Sequence, residues 1–151
     1  MASYTVTSDD SLTIAGRVFT NFADGDVSVV EFPNDLADSK TGKNGNGIIS
    51  RNRQGDNATL VLRLLRGSSD DAFLQNLMAA ALNNWTAQTL LSGQFVKQLG
   101  DGGGNLRRDV VTLAGGFFSK QVATKENVEG QTDQGAAIYN LKFISASRNI
   151  Q

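Results

Sequence analysis

The sequence predicts a mainly β fold (β-rich α+β), an antiparallel β-sandwich or barrel with one flanking α-helix and a long projecting loop. Apolar and polar residues alternate along several short stretches, which is the period of a half-buried strand. Residues 68–84 have instead the three-to-four spacing of an amphipathic helix. Glycine-rich turn signals separate the other stretches, so strand is expected to follow strand with one helix inserted.

Two strands are expected near the start of the chain. Leu12, Ile14 and Val18 recur at spacing two within residues 11–19, with polar residues on the opposite side. An aspartate–glycine turn follows, and residues 27–32 are then short and rich in valine. We therefore expect the two stretches to pair with each other as a hairpin.

Residues 34–56 have a different character, because they are polar, rich in glycine and charged. Between residues 40 and 56 only Ile48 and Ile49 interrupt this composition. A connection of such length inside a compact domain is uncommon unless it is functional or forms a projecting hairpin. We interpret the segment as an interaction arm that meets something outside the monomer.

A strand and the one clear helix follow the arm. Residues 58–66 place leucines on one face and further apolar residues on the other, which predicts a strand covered on much of both faces. Ser68 is a helix N-cap, with Asp70 and Asp71 at the positive end of the helix dipole. The helix should end near Asn83, and its apolar stripe comprises Phe73, Leu74, Leu77, Met78, Ala81 and Leu82.

The remaining chain is expected to form further strands. Residues 90–99 read as one strand, and a glycine-rich tip separates it from residues 107–120. Gly115 and Gly116 inside the second stretch predict a bulge or a close backbone approach. The last strand, residues 137–147, should place one set of side chains on one face, namely Tyr139, Leu141 and Phe143.

Composition argues against several classes of function. The chain has 151 residues, the size of a single domain covering 1–151, and its 14 basic and 15 acidic residues create no net basic field for gathering nucleic acid. It has no cysteine and no histidine, so thiolate metal sites, disulfides and the commonest general base are missing. We expect no enzyme, no cofactor and no metal. No leader or membrane-crossing run is evident, which favours cytoplasmic synthesis without a membrane partner.

The isolated candidates for chemistry have simpler structural explanations. The pairs Asp24 with Asp26 and Asp70 with Asp71 fall at a turn and at a helix start, where aspartate is favoured for local hydrogen bonding. Trp85 follows the helix, and a lone tryptophan there is more often a core residue than an exposed interaction anchor.

Three motifs in chain order resemble the short tail tube proteins of contractile bacteriophages. They are AGRVFTNFADGDVSV at residues 15–29, NATLVL at residues 57–62 and SSDD at residues 68–71, with the charged arm between the first two. The resemblance covers nearly the whole chain and is looser after Trp85.

The resemblance implies a structural protein of the virion, assembled in the host cytoplasm. In that family six copies join their sheets edge to edge into a ring, and rings stack into the inner tail tube through which DNA is ejected. The implied partners are other copies of the chain, the tail sheath protein, the tape measure protein and passing DNA without specific binding. A near-neutral chain suits such a conduit, because a cationic lumen would hold phosphate.

The resemblance also implies where contacts lie. Contacts between rings or subunits are expected at the N-terminal segment, residues 2–10, and at the arm, and sheath contacts are expected at the outward side of the helix start. The ring and subunit contacts are Tyr4, Asn34, Asp35, Asp38, Lys40, Lys43, Asn44, Arg51 and Arg53, and the sheath-facing residues are Asp70 and Asp71.

Two other interpretations are compatible with the sequence. One is another stacking component of a tail or secretion apparatus, such as a tube terminator or a secreted-tube homologue. The other is a ligand- or carbohydrate-binding β-sandwich, a function that the same fold class supports. Such a module usually exposes aromatic platforms, whereas aromatic residues make up 7% of this chain and most are spaced as core.

Overall fold

The computed structural model describes residues 3–130 and 132–151. They form ten strands, one α-helix (α1) and three short 3-10 helices. The strands are β1 Thr5–Ile14, β2 Arg17–Phe19, β3 Ser28–Glu31, β4 Ala37–Thr41, β5 Gly47–Arg51, β6 Ala58–Leu65, β7 Leu91–Gly100, β8 Leu106–Phe118, β9 Ala123–Thr124 and β10 Ala136–Ile150; α1 is Ser69–Asn83, and the 3-10 helices are Arg53–Asp56, Trp85–Ala87 and Thr132–Gly135.

Eight strands form one curled antiparallel sheet in the order β2-β1-β7-β8-β10-β6-β3, with β9 beside β10. The first and last strands of this order belong to one continuous segment, residues 17–31, which pairs with β1 at its start and with β6 at its end. Phe22 also bridges to Leu64 of β6. The chain itself therefore connects the two ends of the curled sheet. The mainly β prediction with one helix is confirmed.

The hairpin expected between residues 11–19 and 27–32 is wrong in its pairing. Ala15 (φ 53°) and Gly16 (φ 81°) form a tight two-residue turn, so β1 folds back onto β2 within the first stretch. As a result Val18 leaves the alternation of Leu12 and Ile14, and its side chain is 55% exposed. The second stretch forms β3 and pairs with β6 instead.

Strand β6 presents one fully buried face and one partly exposed face. Leu60, Leu62 and Leu64 are inaccessible to solvent, whereas Val61 is half-buried and Leu65 is exposed. The prediction of cover on both faces is therefore met on one face and in part on the other. The three leucines of the buried face belong to the main apolar cluster of the protein.

Helix α1 begins and ends as predicted and packs on the concave side of the sheet. The Ser68 side chain accepts a hydrogen bond from the Asp71 amide, which caps the N-terminus. Leu74, Met78 and Ala81 are buried, and Leu74 and Met78 join the main apolar cluster with residues of β1, β6, β8 and β10. The helix thus covers the apolar cluster with one face and leaves its other face exposed.

The two adjacent glycines of β8 are required by close packing. Between Leu91 and Gly93 the pairing of β7 with β8 shifts register, so β8 carries one extra residue there. Gly115 adopts φ 68°, and a Cβ at Gly116 would overlap the ring of Phe143. Both the predicted bulge and the predicted close approach are confirmed.

Candidate functional site

The arm forms a β-hairpin that stands outside the main sheet. Strands β4 and β5 pair only with each other, with Ala37 opposite Arg51 and Thr41 opposite Gly47. The connecting turn is closed by a hydrogen bond from the Gly42 amide to the Asn46 carbonyl at 2.7 Å, and Gly45 has the positive φ that the turn requires. All ten residues of the two strands are exposed.

The two isoleucines of the hairpin point to opposite sides. Directly opposed residues of an antiparallel pair share a face, so Ile48 shares a face with Lys40, and Ile49 shares the other face with Ser39. Their exposures are 70% and 79%. An isolated two-stranded hairpin is at best marginally stable in water. The hairpin therefore presents one large apolar side chain to solvent on each of its two faces.

The base of the hairpin is firmly held by its own chain. The Arg51 guanidinium donates to both carboxylate oxygens of Asp56 at 3.0 and 3.1 Å, and the Asn52 amide donates to the Leu36 carbonyl at 2.8 Å. Gly55 is buried against Leu36, and a Cβ added at Gly55 would lie only 2.7 Å from the Cα of Leu36. The hairpin therefore projects from a fixed base.

Eight of the predicted contact residues lie on this hairpin or at its base, and all eight are exposed. Asp38 and Lys40 are in β4, Lys43 and Asn44 are in the turn, and Arg51 is in β5; Asn34, Asp35 and Arg53 lie at the base. Asp38 and Lys40 share the face of Ile48 and Ser50, which we call the Ile48 face. The hairpin thus brings together a mixed-charge surface.

Tyr4, the ninth predicted contact, lies elsewhere. It precedes β1, whose first residue Thr5 pairs with Gly100 at the end of β7, and its side chain is exposed. Residues 5–10 of the predicted N-terminal contact segment therefore belong to the main sheet, and Ala2 lies outside the described residues. The structure does not unite this segment with the hairpin in one protomer.

No family model matches the sequence, and no curated protein matches it at a significant level.

Within residues 3–130 and 132–151, no helix has the length and apolar character needed to cross a bilayer. In the same residues, acidic side chains form no group of three or more that could hold a metal ion.

The expectation that Asp70 faces outward toward a sheath is wrong. Its side chain is 1% exposed, and its carboxylate accepts hydrogen bonds from the Arg17 side chain at 2.8 Å and from the Thr20 and Asn21 amides, each at 2.9 Å. The Arg17 guanidinium also lies 5.3 Å from the centre of the Phe73 ring. The helix start is tied to the chain around β2, so this carboxylate serves the fold.

The electrostatics of Asp70 follow from these contacts. Burial by itself raises the pKa of the Asp70 carboxyl, but the two backbone amides and Arg17 together outweigh burial and lower it. The carboxylate is therefore held in its charged form.

Asp71 is partly buried and is also occupied within the protomer. One carboxylate oxygen accepts from the Tyr139 hydroxyl at 2.5 Å, and the other accepts from the Gly67 amide at 2.9 Å. Burial, followed by this hydrogen bond to Asp71, raises the pKa of the Tyr139 phenol. The paired aspartates thus anchor the helix to β10 and to the chain near β2. The bond from the Gly67 amide to Asp71 is of the local kind predicted for these residues, whereas the other partners, Arg17, Thr20, Asn21 and Tyr139, are distant in the chain.

Trp85 is not the core residue that its position favoured, because its side chain is 53% exposed. The helix ends at Asn83, and the 3-10 turn Trp85–Ala87 carries the indole past the enclosed core. There it borders a groove of about 250 Å³ between the C-terminal half of α1 and the end of β8. We call this the Trp85 groove; its lining residues include Met78, Ala81, Leu82, Trp85, Phe118 and Lys120.

The sequence interpretation assigned no role to the exposed side chains of Ile48 and Ile49, and it favoured a core position for Trp85. The signal for the isoleucines was available, since two adjacent apolar residues in any strand point to opposite faces. Only the hairpin pairing reveals that neither face is covered. No local signal distinguishes a tryptophan that fills a core from one that borders a groove.

Proposed function

We propose that this chain is the inner tail tube protein of a contractile bacteriophage, a structural virion protein that forms stacked rings. The observation that carries the proposal is the β4–β5 hairpin, which is exposed along its whole length and has Ile48 and Ile49 on opposite faces. A second copy of the chain in an adjacent ring supplies the cover that this hairpin lacks.

The strand arrangement supports ring formation by sheet edges. In the described part of the chain β2 pairs only with β1, and β3 pairs only with β6. Unpaired strand edges are templates for pairing with another chain and are normally protected in monomers. We propose that an edge strand of one copy, β2 or β3, contacts a different edge of the next copy. Such a head-to-tail contact, repeated by rotation, closes a ring.

The charge balance supports the proposed role as a DNA conduit. The formal net charge is −1, so the chain provides little average attraction for the phosphates of passing DNA. The proposed partners are other copies of the chain, the sheath protein, the tape measure protein and DNA in transit. The sheath contact is not assigned to Asp70, whose carboxylate is buried.

Negative-stain electron microscopy of the purified full-length protein tests this function. We expect hollow tubes or stacked rings of uniform diameter, with a tube fraction that grows with protein concentration. Discrete monomers at high concentration, verified by light scattering, contradict the proposal. Single rings that do not stack would favour a terminator of the tube instead.

A further inference from the structure

The Trp85 groove and the Ile48 face are two exposed surfaces of the same chain whose chemistry is complementary. The groove is lined mainly by apolar side chains, and Lys120 stands at its rim. The Ile48 face offers one apolar side chain flanked by Asp38 and Lys40. In the described protomer all of β4 and β5 is exposed, so the hairpin does not occupy the groove of its own chain.

We propose that the Ile48 face of one copy docks into the Trp85 groove of a second copy. This inference rests on the proposed self-association and names the two surfaces that meet. The groove volume of about 250 Å³ accommodates a branched aliphatic side chain, and Leu82 and Trp85, which border it, are 54% and 53% exposed. Covering these two side chains and Ile48 together removes three large apolar groups from water.

The two surfaces offer one pair of opposite charges, Asp38 on the hairpin and Lys120 at the groove. Lys120 is exposed and makes no ion pair with any described residue, and the carboxylate of Asp38 accepts only from the amide of its neighbour Ser39, at 2.8 Å. Docking places Asp38 of one copy at Lys120 of the other. In this arrangement Lys40, directly opposite Ile48, lies near the half-exposed side chain of Trp85, whose indole attracts an ammonium group.

Cross-linking between two differently labelled copies tests this contact. The chain has no cysteine, so each introduced thiol is unique. Ile48→Cys protein is mixed with Leu82→Cys protein, oxidised mildly and analysed on a non-reducing gel, with a size tag to identify mixed dimers. The matched control mixes Val128→Cys with Leu82→Cys, because Val128 is fully exposed but lies on neither surface. We expect mixed dimers from the first pair and only background from the control.

The energetic test uses the groove itself. Trp85→Ala, at a largely exposed position, should leave the protomer folded and weaken association by about 30-fold if the indole is an anchor of the contact. Asp38→Lys or Lys120→Asp alone should also reduce mixed-dimer yield, and the two substitutions combined should restore it. The mixed-dimer yield recovers only if residues 38 and 120 of the two copies contact each other. A general loss of protomer stability would lower the yield further in the double variant.

The outcomes separate this contact from the tube function. Tubes without Ile48–Leu82 mixed dimers overturn the groove as the docking site and leave the tube function standing. Mixed dimers without tubes or rings support the contact and overturn the tube function. Equal yields from the test pair and the Val128 control also overturn the contact.

Discussion

Arg17 and Asp70 are 53 positions apart in the chain, yet the arginine Nε lies 2.8 Å from a carboxylate oxygen of the aspartate. The same carboxylate accepts hydrogen bonds from the backbone amides of Thr20 and Asn21. A single buried side chain therefore joins the first turn of α1 to the segment that connects the two ends of the curled sheet.

Replacing Asp70 with asparagine should lower the free energy of unfolding by about 2 kcal/mol or more, because three donors lose a charged acceptor at a buried site. Urea denaturation of the dilute, monomeric protein measures this change. Asp24→Asn is the matched control, since Asp24 is largely exposed, and it should cost less than about 0.5 kcal/mol. Equal effects of the two substitutions would contradict the assigned role of Asp70.

The contribution of Asp70 to the free energy of unfolding should also depend on pH. Burial opposes ionisation, but the amides and Arg17 lower the pKa of Asp70 below its ordinary value of 3.8. A lowered pKa contributes stability that is complete above 3.8 and is lost as pH falls through the folded-state value. The difference in unfolding free energy between the wild type and Asp70→Asn should therefore shrink below pH 3.8. A difference that stays constant down to pH 2 would contradict this linkage.

Tyr139→Phe should destabilise the fold by about 2 kcal/mol, because the hydroxyl donates to the charged Asp71 carboxylate. Burial and that hydrogen bond raise the pKa of Tyr139 above its ordinary value of 10.0. The contribution is therefore complete below pH 10 and declines as pH rises further. Unfolding curves at pH 7 and pH 11 should show a large difference between wild type and variant at the lower pH and a smaller one at the higher. An undiminished difference at pH 11 would argue against the linkage.

Gly116→Ala should cost about 1–3 kcal/mol, because the added methyl overlaps the ring of Phe143 and lies 3.0 Å from the Leu91 carbonyl oxygen. Gly135→Ala is the matched control, since a Cβ there meets no atom within 4 Å. Thermal unfolding followed by circular dichroism compares the two. If both variants have the same melting temperature as the wild type, the packing between β8 and β10 is looser than described.

Deleting residues 40–46 should abolish tubes while leaving the main sheet intact, because β4 and β5 make no strand pairing with that sheet. Electron microscopy measures assembly, and circular dichroism checks the fold. Val128→Ser removes an exposed apolar side chain outside the hairpin and should leave tubes unchanged. Normal tubes from the deletion variant would show that the hairpin is not the stacking contact.

Local spacing was enough to predict much of this structure. The alternation of Tyr139, Leu141 and Phe143 fixed the buried face of β10, and Ser68 fixed the start of α1, because both features depend on residues close together in the chain. The exposed arm was also predictable, since its polar composition offers no face to bury.

By itself, the sequence determined where the helix lies, which segment projects and where β6, β7, β8 and β10 run, because periodicity and capping are local properties. It did not reveal the turn at Ala15 and Gly16 that divides residues 11–19 into two strands, nor the strands β4 and β5 within the arm. Only the tertiary structure decided that β3 pairs with β6, that Asp70 is buried against Arg17, and that Trp85 remains half-exposed at a groove. Those outcomes depend on which distant segments the curled sheet brings together. Periodicity gives the face of a strand but not its partner.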